Sequence, residues 1–159
     1  MNMGGGQLLG GAGTVEEKSA AFPSVEWFEK LAEVMQENEA FYRQLGPIDC
    51  TMVVIVDDRI FELVFLGYGV ESVHDLFALS DAAASHFTLE GSLQAWCAMI
   101  DNIRENGSAD LEHTLGALTF CDAPLRVGGP DQLEIDVFYR FNATLQRFFN
   151  DSAEIQTTY

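Results

Sequence analysis

The stretch that most constrains this chain is His86–Gly107, where a half-buried strand runs directly into an amphipathic helix. Phe87, Leu89 and Gly91 alternate with Thr88 and Glu90, the period-two pattern of a strand with one buried face. Ser92 then stands where its hydroxyl can accept from the free amides of a new helix. Leu93, Trp96, Cys97, Ile100 and Ile103 recur at spacings of three and four, which gathers them on one helical face. Asn106-Gly107 supplies a left-handed stop. A one-sided strand and a one-striped helix are stable only when packed in layers, so this unit predicts an α+β domain with Trp96 in its core.

The flanking sequence extends that reading. Residues 1–21 carry Gly4-Gly5-Gly6 and Gly10-Gly11 and read as a flexible tail. Ser24 caps a first helix running to about Leu45, with Phe28, Leu31, Met35, Tyr42 and Leu45 on one face and Gly46-Pro47 as its end. Asp49–Val56 and Arg59–Leu66 form a hairpin about Asp57-Asp58. Both faces of this hairpin are apolar apart from Thr51 and Glu62, which predicts a cover on each side. Val70–Ser85 stays open, since His74–Ala84 has helix-forming alanines without a clean stripe.

Beyond the central unit, Ser108–Leu118 reads as a short helix with Leu111, Leu115 and Leu118 inward. Thr119–Val127 reads as a strand that Pro124 places at an edge or bulge. Asp131–Asn150 reads as a final helix with Leu133, Val137, Phe141, Leu145 and Phe148 inward, broadened by Phe138 and Phe149. The polar residues 152–159 read as a frayed end, leaving a single domain over residues 22–151. The sum is one small sheet covered by helices, with an extra helix at the front.

Charge excludes some functions. With 25 acidic against 8 basic residues the net charge is −17, so a nucleic-acid partner would be repelled. Anionic membrane surfaces are disfavoured for the same reason. A basic protein partner is compatible, and so is a plain solubilising surface. Self-repulsion of this size is relieved by screening once the Debye length falls to about 10 Å. The melting temperature is therefore expected to climb from low salt to a few hundred millimolar; a flat or falling curve in a thermal scan would mean that the acidic groups are already paired.

No apolar run reaches the roughly 18 residues of a membrane span, and the first residues lack the basic and apolar regions of a signal peptide. The odd, dispersed cysteines Cys50, Cys97 and Cys121 suit free thiols in a reducing, cytoplasmic setting.

Chemistry-bearing motifs are missing. His74, His86 and His113 are scattered, with no metal-ligand spacing, and no Cys-x-x-Cys pair is present. A nucleophile elbow, a dinucleotide fingerprint and a phosphate loop are absent as well. The expectation is a non-catalytic protein without metal or cofactor, in which a Cys121 couple with His86 or His113 would be the one route to catalysis.

One resemblance stands out. Phe87-Thr-Leu-Glu-Gly-Ser followed by Trp96, the leucine-rich Leu111–Leu118, the strand reaching Gly128-Gly129 and the last apolar helix together resemble the sterol carrier protein 2 family of lipid-carrier domains over roughly residues 48–150. The resemblance implies about five mainly antiparallel strands and an apolar tunnel between sheet and helices for a lipid, sterol, fatty acyl, isoprenoid or quinone. The last helix is apolar over more than half its girth, more than one thin sheet can cover. Together these predict an apolar pocket with Phe138, Phe141, Leu145 and Phe148 on one wall and Trp96 and Phe120 on the other. The alternative is an interaction subunit, a homo-oligomer or the companion of a basic protein, that uses the acidic surface and the front helix.

Overall fold

The computed structural model describes residues 18–159, so the glycine-rich part of the expected tail lies outside the described residues. The elements in order are β1 (Lys18–Ala21), α1 (Val25–Glu37), α2 (Glu39–Leu45), β2 (Ile48–Val56), β3 (Arg59–Gly67) and β4 (Gly69–Leu76). They continue as β5 (Phe87–Gly91), α3 (Leu93–Asn106), α4 (Leu115–Leu118), β6 (Arg126–Gly128), α5 (Gln132–Arg140), α6 (Asn142–Asn150) and β7 (Ile155–Thr158). The fold class is α+β: a five-stranded sheet in the order β4-β3-β2-β5-β6, antiparallel at every pair except β2–β5.

Register decides which face the helices cover. Met52 lies opposite Leu63 and Phe87, and Val54 opposite Phe61 and Leu89, and all of these belong to one buried core. Helix rings meet them there: Phe28 on Phe61, Phe148 on Phe65 and Phe138 on Phe87, with centroids 5.3, 5.1 and 5.8 Å apart. The other face carries Val53, Glu62 and Thr88 in one transverse row. Among the described residues no helix layer forms there, contrary to the apolar reading of both hairpin faces. Instead, the chain after β4 folds back, and the Ala83 amide donates to Glu62 Oε2 at 2.8 Å.

The central unit forms as its sequence requires. Ser92 Oγ accepts from the Ala95 amide at 3.1 Å, and Gly107 closes α3 at φ 82° with its amide on Ile103 O. Asp57 adds a function that the turn reading missed. Besides making the β2–β3 turn, its Oδ1 accepts from the Leu93 amide at 3.2 Å and so places a carboxylate at the start of α3. Gly91 is required where it stands, because a Cβ would collide with the Leu125 side chain and lie 3.5 Å from Trp96 Nε1.

Several boundaries differ from expectation. The front helix divides at Asn38 and the last helix at Phe141, both near φ −100° and ψ 20°. The second break lets Phe138 meet Phe87 while Phe148 meets Phe65. Residues 108–114 are not helical: Asp110 ties this loop to Asn102 and His113 through its side chain, and Leu111 is left 89% exposed rather than inward. Leu133 is also outside, since α5 lies along the sheet margin by β5 and β6. Of the expected strand Thr119–Val127 only Arg126 and Val127 pair, continued by Gly128, because the chain before them turns through Cys121 at φ 54° and Pro124.

The largest correction concerns the ends. Lys18–Ala21 is not tail and Ile155–Thr158 is not frayed: they pair as a parallel two-stranded sheet. Ile155 and Thr157 face inward, and Thr157 Oγ1 accepts from Trp27 Nε1 at 2.9 Å. Just before β7, Asp151 is buried and accepts from the Tyr42 hydroxyl and Arg147 Nε, joining α2 to α6. Burial first, and Asp151 second, hold the Tyr42 phenol protonated well above its ordinary range.

Candidate functional site

The expected apolar site divides between core and surface. Trp96, Phe138, Leu145 and Phe148 are fully buried within the one core, and half-buried Phe141 packs against it. They meet the protein's own rings: Trp96 lies 5.6 Å from Phe149 and 6.4 Å from Phe22, and Phe148 stacks edge-on to Phe149. The Trp96 indole donates to Ile55 O at 3.1 Å. Phe120 does not join them. It is 74% exposed in the turn after α4, because the expected strand that would have turned it inward does not form.

Of the concave regions among the described residues, two bear on a site. One lies beside α5 at the end of β2, with a volume of about 200 Å³, lined by Cys50, Thr51, Val64, Ser85, Glu134 and Val137. Helix α5 is lightly held, with Phe138 as its one fully buried residue, and it carries exposed Leu133 and Tyr139. Burial pushes the Cys50 thiol up to about 12, so it is a neutral wall and not a nucleophile. The other region is a cleft of about 550 Å³ between α1 and β4, with Ala32, Leu66, Val70 and Val73 among carboxylates. The sequence concealed this second site because a bulge between Val64 and Phe65 leaves Glu71 as an extra residue in β4, breaking its alternation.

The histidines do not gather. His74 is exposed, His86 Nδ1 contacts Ala83 O, and His113 Nδ1 contacts Asp110 Oδ1. No hydrogen bond joins a histidine to Cys121 among the described residues, and no group of three or more metal-ligating side chains occurs among them. No helix among the described residues is long and apolar enough to cross a membrane.

A five-stranded, mainly antiparallel sheet with helices on one face and the β2–β5 pair parallel defines a sterol-carrier-like fold. The solved structure that supports this is a crystal structure of sterol carrier protein 2, with a TM-score of 0.56 and 13% identity, covering 82% of this chain and 96% of that one. At that identity the likeness is one of fold. No family model matches the sequence, and no curated protein matches it.

Proposed function

We propose that this chain binds a small apolar molecule without transforming it, in the layer between α5–α6 and the sheet. The observation that carries this reading is the weak seat of α5: one fully buried residue, Phe138, beside a cavity of about 200 Å³. That volume is below the roughly 300 Å³ at which small-molecule sites begin. Its core-facing lining, Cys50 and Val137, makes it the mouth at the sheet margin, and displacement of α5 extends it past Phe138 and Phe141. The sterol carrier protein 2 likeness supports the same class of ligand, a lipid, sterol or acyl chain. Each methylene buried there contributes about 0.8 kcal/mol before the costs of association.

Affinity should then rise with acyl-chain length until the site is full. Organic extraction of the purified protein followed by lipid mass spectrometry is expected to find a bound apolar molecule. Val137→Trp fills the mouth from a half-buried position and should weaken binding of fluorescent acyl probes at least ten-fold. The reading fails if the wild type yields no extract and binds no acyl probe or sterol at micromolar concentration, or if Val137→Trp leaves affinity unchanged.

A further inference from the structure

The edge of the sheet furthest from α5 carries a second, independent site. Among the described residues strand β4 is the terminal strand, paired only with β3, and its eight residues make a long edge beside the three of β6. Among the described residues, no backbone group of β4 bonds to anything beyond β3. A row of unpaired amides and carbonyls of that length is a template for another strand unless something blocks it. Here the space is kept open: the 550 Å³ cleft runs along Val70–Val73, with Glu29, Ala32, Glu33 and Gln36 of α1 on its other side.

Charge selects what can enter. Glu29, Glu33, Glu39 and Glu71 border the cleft. Glu33 is engaged by Lys18 and Lys30, and Glu39 by Arg43, whose guanidinium also lies 4.5 Å from the Tyr68 ring centre. Glu29 and Glu71 have no ion-pair partner among the described residues, and the bulge aims Glu71 at this border. Edges are usually guarded by lysine; this one is guarded by carboxylates, which repel acidic strands and admit basic ones. A second copy of a chain at −17 is thereby disfavoured.

We propose that the free edge of β4 docks an extended, lysine- or arginine-bearing peptide segment of a partner protein, added as a sixth strand beside α1. Its backbone would pair with β4 at the usual spacing of about 4.8 Å. Alternate side chains would reach Glu29 and Glu71 or pack on Val70 and Val73, which is how strand addition divides affinity from specificity.

The test is an NMR titration of the full chain with the acetylated, amidated hexapeptide Lys-Val-Lys-Val-Lys-Val. The expected result is shifts and slowed amide exchange concentrated in Gly69–Leu76, with affinity lost at least ten-fold in 0.5 M salt. The Glu29→Lys/Glu71→Lys variant changes only exposed side chains, and with an unchanged melting temperature it should bind at least ten-fold more weakly. The same peptide N-methylated at alternate residues should not bind. Equal binding of the N-methylated peptide overturns strand addition, and equal binding of a Glu-Val repeat overturns the charge selection. Shifts in Gly69–Leu76 that follow protein concentration alone would make the occupant a second copy and also overturn the proposal.

Discussion

Trp96→Ala is expected to lower the free energy of unfolding by about 3–5 kcal/mol, the range for truncating a large buried aromatic. Trp96 has no exposed surface, lies against Phe149 and Phe22, and its indole satisfies Ile55 O. Alanine leaves a ring-sized void and removes the indole's bond to Ile55 O. Gly91 allows no compensating shift from below, because Leu125 already occupies the space where a side chain there would go. Urea denaturation followed by circular dichroism measures the loss, and a cost under about 1 kcal/mol would show that the site relaxes or that the indole is not packed as described.

Deleting residues 155–159 is expected to cost about 4 kcal/mol or more. It removes Ile155, which is 2% exposed, at roughly the 2–5 kcal/mol of an isoleucine truncation. It also leaves the Trp27 indole N–H buried without its acceptor, at about 1–3 kcal/mol. Thr157→Val isolates the second contribution, since it keeps the shape and removes the hydroxyl. A frayed end would make both changes neutral, so the same denaturation series decides between the two pictures.

What was legible in the sequence is what local chemistry controls. Ser92 and Gly107 bracket α3, Ser24 caps α1 through the Trp27 amide, and the hairpin turns at Asp57-Asp58. The strands at the ends were not legible, because Lys18-Ser-Ala-Ala has no strand preference of its own and pairs only through a partner at the other end of the chain. Strand β4 was hidden by its bulge at Glu71. The apolar layer of Trp96, Phe138, Leu145 and Phe148 was visible as a set, but spacing cannot distinguish rings that line a space from rings that fill one. Phe120 shows the same limit, since its place depended on a strand that is replaced by a loop between Leu118 and Arg126.

Pairing the two ends also sets a schedule for synthesis. Trp27 and Thr157 are 130 positions apart, so at about 5–20 residues per second the first helix waits roughly 7–26 s for the hydroxyl that satisfies its indole. Throughout that interval β1 and the Trp27 flank are without their cover, while β2, β3, β5 and α3 already have one another. A nascent chain thus carries the Trp27 flank without its partner strand until Thr157 has been made.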